Sequence, residues 1–114
     1  MPNINMNINL KVVVMDTDYY ALQSINSYLA WDRRTRVTLM AQSVDEMWNY
    51  LSRIGVAEQP NVIILDADHL GGASALQAQL EHLRRRIKKV MVICMGRVVD
   101  PVLVETAAAH GARC

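Results

Sequence analysis

The run Val62-Ile63-Ile64-Leu65 closes on a carboxylate, Asp66, and then passes straight into loop residues. No polar residue interrupts it, so it lacks the alternation of a strand with one wet face. Unbroken apolar runs of this length belong to parallel strands covered by helices on both sides. A second run, Leu10-Lys11-Val12-Val13-Val14-Met15, also ends in acids, Asp16 and Asp18. In open α/β sheets, ligands gather beyond the carboxyl ends of the strands. If the two strands are neighbours, three carboxylates meet at one rim of the sheet. Like charges held together are costly unless a proton or a cation relieves them. One or two carboxylates, with water and phosphate completing an octahedron, describe a magnesium site.

The rest of the chain alternates in the same way. Leu10 to Met15 predicts a first strand, and Asp18 is a candidate cap for a helix over Tyr19 to Ala30. Leu22, Ile25 and Leu29 fall on one face of that helix. Val37 to Ala41 predicts a second strand. Ser43-Val44-Asp45-Glu46 has the form of a capping box, and its helix is expected to stop near Gly55 in a left-handed cap. A third helix begins near Ser74, with Leu76, Leu80, Leu83 and Ile87 on one stripe. Val90 to Met95 predicts a fourth strand. Asp100-Pro101 opens a last helix, Val102 to His110, ending at Gly111. This order implies a three-layer α/β/α, doubly wound parallel sheet with right-handed crossovers.

At 114 residues, the chain is long enough for one domain and a core of its own. Residues 1–9 alternate asparagine with apolar residues from Asn3 to Asn9 and read as a flexible arm, leaving 10–114 as the domain. A net charge of +1 argues against a nucleic-acid module. The basic cluster Arg84, Arg85, Arg86, Lys88 and Lys89 suits the C-terminal end of a helix. Cys94 and Cys114 have no zinc-ligand spacing and cannot form a disulfide framework. No signal peptide is visible and no apolar run is long enough to span a bilayer, so a cytoplasmic setting is expected.

The acidic loop after the first strand, the string NVIILD, the apolar fourth strand and the string AAAHGAR together resemble the receiver domains of bacterial response regulators, the CheY-like family. The resemblance implies strand order 2-1-3-4, then a fifth strand that this chain stops short of. It implies a two-component signalling role in which a sensor histidine kinase supplies a phosphoryl group to Asp66. Magnesium (Mg2+) is then held by Asp16, Asp66 and the backbone carbonyl of Asp68, with Asp18 a further candidate. Cys94 falls where the family has a hydroxyl that answers the phosphate. AAAHGAR is most like receivers that precede a helix-turn-helix, so a transcriptional output lies outside this segment, which itself binds neither nucleic acid nor membrane.

The chain departs from that pattern at Thr17, where the second acid is expected, and at Leu70, where a proline is usual. The family's lysine at the end of strand five is also missing. These departures define a second reading, a degenerate receiver that works as a protein-interaction module without phosphorylation. The absent fifth strand leaves strand four an open apolar edge, fit for strand-edge pairing or a homodimer. A lesser alternative is a fragment of a haloacid-dehalogenase-like phosphatase, with Asp16 as nucleophile and Asp18 as acid. A flavodoxin-like cofactor binder is disfavoured, because Asp16-Thr17-Asp18 would repel a phosphate. His69, beside Asp66, reads as an exposed loop histidine or as a group that tunes phosphate lifetime. The chain is not expected to be an enzyme.

Overall fold

The computed structural model describes residues 10–96 and 100–113. In chain order the elements are β1 (Leu10–Met15), α1 (Tyr19–Leu29), β2 (Thr35–Ala41), α2 (Val44–Leu51), β3 (Val62–Asp66), α3 (Ala73–Arg86), β4 (Met91–Met95) and α4 (Pro101–Ala109). A short 3-10 turn, Val56–Glu58, precedes β3. The strands form one sheet in the order β2-β1-β3-β4, with every pair parallel. The arm expected over 1–9 lies outside the described residues, as does Cys114.

The unbroken apolar runs are explained by two core layers. Val13, Met15, Ile63, Leu65, Val92 and Cys94 face one side of the sheet and pack with Met47 and Leu51 of α2, Leu76, Leu80 and Leu83 of α3, and Ala107 of α4. Val12 and Val14 face the other side, against Leu22, Ile25 and Leu29 of α1. Each large apolar side chain taken out of water contributes roughly 1.5–3 kcal/mol. Three helices thus cover one face and one covers the other. The single helix leaves Ile64 and Ile93, paired across β3 and β4, only half buried.

Local differences from the expected boundaries have local causes. β2 starts two residues early because polar Thr35 and Arg36 pair with Leu10 and Lys11 at the sheet's end. The register then slips at Thr38, which lies between the Val12↔Val37 and Val13↔Leu39 pairs. α2 stops at Leu51, well before Gly55. Ser52 Oγ and Arg53 Nε both donate to the Asn49 carbonyl, which satisfies that end without a left-handed residue. Gly55 has φ −83° and instead precedes the 3-10 turn. Gly111, at φ +80°, is the left-handed residue that ends α4 behind His110.

The open edge expected on β4 is partly closed. After Gly111 the chain turns back, and Arg113 N donates to the Val92 carbonyl at 2.9 Å while Cys94 N donates to the Arg113 carbonyl. Arg113 thereby makes a parallel bridge to Ile93. The left-handed turn directs the backbone along β4, and Ala112 is buried in the core as it does so.

Candidate functional site

β1 and β3 are direct neighbours, so the residues that follow or end them, Asp16 and Asp66, come together at the carboxyl rim. Both are largely buried, at 9% and 5% exposure. Each carboxyl group feels the charge of the other. They line a cleft of about 190 Å³ with Ala21, Ile25, Met95 and Gly96. Burial pushes the Asp16 carboxyl above its ordinary value, and the Asp66 and Asp18 carboxylates add to the effect, while the Asp18 backbone N–H acts against it.

Asp66 is held by the protein itself. Its Oδ1 accepts from the Asp68 backbone N–H at 3.1 Å. Its Oδ2 pairs with His69 Nδ1 at 2.7 Å and accepts from the Thr17 hydroxyl at 3.3 Å. His69 is therefore no idle loop residue, although half of its side chain stays exposed. The two-residue reach from Asp66 to Asp68 N is an Asx-type turn, and Asp16 repeats it: its Oδ1 accepts from Asp18 N at 2.8 Å.

The remaining acids are spread out. Asp18 turns its Oδ1 to the Tyr20 N–H at 2.9 Å and caps α1, as its position in the sequence suggests. The Asp68 carboxylate extends toward β4, where a Cβ built on Gly96 would meet its Oδ1 at 2.7 Å. Among the described residues, no three His, Cys, Asp or Glu side chains gather to hold a metal ion. Magnesium takes six oxygens in a near-ideal octahedron. Here two carboxylates are offered, one of them bonded at both oxygens to protein donors, and a threonine stands in the loop between Asp16 and Asp18. Two carboxylates with water and phosphate fill such an octahedron, so the ion would be held by Asp16 and Asp66 in competition with the protein donors already on Asp66.

Cys94 is placed away from the cleft. It pairs with Leu65, one step before Asp66, and is buried among the residues that face α2 and α3. Met95 pairs with Asp66 and lines the cleft in its stead. A thioether has no proton to donate, so it cannot answer a phosphate. Strand parity carried the signal: Cys94 shares a face with buried Val92, and the alternate position belongs to Met95.

No protein-family model and no curated protein matches the chain. Solved structures do match it. The isolated receiver domain of RcsB from Salmonella enterica serovar Typhimurium, determined with the phosphomimetic BeF3−, superposes with a TM-score of 0.73 at 16% identity, over 91% of this chain and 73% of that one. A response regulator from Thermotoga maritima gives a TM-score of 0.75 at 18% identity, over 91% and 80%. The receiver domain of the putative response regulator NarL from Mycobacterium tuberculosis gives 0.67 at 20%, over 91% and 79%. The chain has the fold of a response regulator receiver domain. The expected strand order 2-1-3-4 is the one observed.

Proposed function

We propose that this chain is the receiver module of a response regulator in a two-component system, and that it acts as a protein-interaction platform. In this reading its conformation is set by the partners that bind it, not by an acyl phosphate on Asp66. The observation that carries the reading is the environment of Asp66, whose two oxygens meet three protein donors: His69, Thr17 and the Asp68 amide. A carboxylate so engaged is a poor nucleophile, and Met95 offers no donor to hold a product. The chain has no turnover of its own in this account. The AAAHGAR resemblance makes a transcriptional output domain the natural partner within a longer protein, and a sensor histidine kinase the partner outside it.

The second reading, Asp66 as a phosphoacceptor, is favoured by one observation: Asp16 and Asp66 crowd beside an open cleft, an arrangement that a cation would relieve. Incubation with acetyl phosphate and Mg2+, followed by peptide mapping with and without hydroxylamine, separates the two. The platform reading expects no hydroxylamine-labile phosphate on Asp66. Its appearance there establishes the second reading.

A further inference from the structure

Because all four strands are parallel, every strand begins at the rim opposite Asp66, and the helices that join them end there. The cations of the chain collect at that rim. Lys11 and Arg36 pair near the start of β1 and β2, behind Arg33 and Arg34 in the preceding loop. Arg53 follows α2, and the run Arg84-Arg85-Arg86-Ile87-Lys88-Lys89 leads from α3 into β4. Ten of the twelve lysines and arginines thus share one pole with two acids, Asp32 and Glu58. Seven of the eleven acids stand at the opposite rim, in the turns at the ends of β1 and β3 and at the N-terminal ends of α2 and α4. The net charge of +1 is the small remainder of two large opposite poles.

Hydrogen bonds tie the basic segments into one surface. Leu10 N donates to the Arg34 carbonyl at 2.6 Å, Asn61 N to the Lys11 carbonyl at 2.9 Å and Met91 N to the Asn61 carbonyl at 2.9 Å. Helix dipoles account for only part of the charge. Of the helices, α3 alone has basic residues in its last turn, and Lys88 and Lys89 lie beyond it. Two cations are offset locally: Asp32 pairs with Arg34, and Glu58 shares a cleft with Lys11 and Arg36. Arg53, Arg84 and Arg86 donate instead to the carbonyls of Asn49, His110 and Leu51, so their charge stays on the pole. The same rim leaves large apolar side chains in water. Trp31 is 89% exposed and Val56 83%, with Leu10 and Met91 also exposed. Tyr28 and Trp31 wall a cleft of about 670 Å³ that carries Arg33.

We propose that this basic rim docks on an anionic phospholipid surface. Cations near such a surface are drawn to its headgroups, Trp and Tyr favour the headgroup level, and exposed aliphatic side chains enter the acyl boundary. Duplex nucleic acid matches the cations but sets Val56, Leu10 and Met91 against a charged backbone, and no aromatic residue interleaves with the run after α3. Docking in this sense turns the acidic rim and Asp66 away from the bilayer, toward partners in solution. A contact of this kind needs no spanning helix, and none of the described helices is long and apolar enough to be one. The inference is independent of whether Asp66 takes a phosphate.

Co-sedimentation with vesicles of phosphatidylglycerol and phosphatidylcholine in equal parts tests it. The chain is expected to bind these and not vesicles of phosphatidylcholine alone. It is expected to be released at about 1 M salt, where the screening length falls to about 3 Å. Arg85→Ala, Lys88→Ala and Lys89→Ala combined weaken binding about hundredfold, at about fivefold per cation. All three side chains are exposed, so the thermal melt of that variant matches the parent. Tryptophan emission shifts to the blue on binding, and Trp31→Phe abolishes the shift, because Trp48 is already stacked on His82 and bonded to Gln79. Val102→Ser, at an exposed apolar site on α4 away from the rim, binds as the parent does. Failure to bind the anionic vesicles overturns the proposal. So does equal binding to the neutral vesicles, or binding undiminished in the triple variant. Displacement from the vesicles by micromolar duplex DNA also overturns it, and makes nucleic acid the occupant.

Discussion

His69 Nδ1 stands 2.7 Å from Asp66 Oδ2, a contact made across three residues of the β3–α3 loop. The two partners are unequal. Asp66 is buried and has two further protein donors, while half of the histidine side chain is in water. Removing each therefore has a different cost. His69→Ala is expected to lower stability by less than about 1 kcal/mol, the usual worth of a pair with one solvated member. In an Asp16→Asn background, where no like charge is left to relieve, Asp66→Ala leaves the Thr17 hydroxyl and the Asp68 amide without their acceptor and is expected to cost about 2 kcal/mol. Urea unfolding of the two variants measures the difference.

Asp16 links the site to pH. Its carboxyl is raised in the folded chain, first by burial and also by the Asp66 charge, so the folded state binds its proton more tightly than the unfolded state does. Stability from this group is therefore lost as pH rises from the ordinary 3.8 through the higher folded value. Asp16→Asn keeps an Oδ1 to accept from Asp18 N and removes the like charge. The variant is expected to be more stable than the parent at pH 7, by about 1 kcal/mol or more for a close charge pair. The gain should vanish below the ordinary carboxylate range. Urea midpoints compared at neutral and acidic pH provide the check.

Gly96 is the smallest possible neighbour for Asp68. A methyl group at that position would lie 2.7 Å from Asp68 Oδ1, but the obstacle is the end of a movable side chain. Gly96→Ala is expected to cost about 1 kcal/mol and to shift the Asp68 amide resonance. In an Asp68→Ala background the same substitution should be nearly neutral. Equal costs in both backgrounds would mean that the two residues are uncoupled.

The capping box tests a purely local contribution. Glu46 N donates to Ser43 Oγ at 3.1 Å, and Glu46 Oε1 accepts from Gln42 N at 2.9 Å. Ser43→Ala is expected to cost about 1 kcal/mol, whereas Ser43→Asp is expected to be close to neutral. Thermal melts of the two variants report it.

Features encoded in local chemistry were legible in the sequence. The four strands follow from apolar runs covered on both sides, and Asp18, Ser43 and Asp100 cap helices because each can accept from a backbone N–H two or three residues on. The meeting of Asp16 with Asp66 followed once β1 and β3 were taken as neighbours. Features that depend on register or on the far side of the fold were not legible. Met95 beside Asp66, with Cys94 turned into the core, needs the β3–β4 register as well as the strand's alternation, and only the alternation can be read from MVICM. The end of α2 is set by side chains returning to the Asn49 carbonyl, and Gly55, four residues past Leu51, gave the wrong stop. The return of Arg113 to β4 depends on the direction taken after Gly111.

In the platform reading, Asp66 is satisfied by His69, Thr17 and the Asp68 amide, and the rim works without a divalent ion. Neither tryptophan lines the cleft, so their fluorescence does not report on it. A magnesium titration followed by the backbone amide spectrum does. The account predicts that the Asp16, Thr17, Asp66, Asp68 and Gly96 amides stay in place up to millimolar Mg2+. A saturable shift confined to those five amides would contradict it.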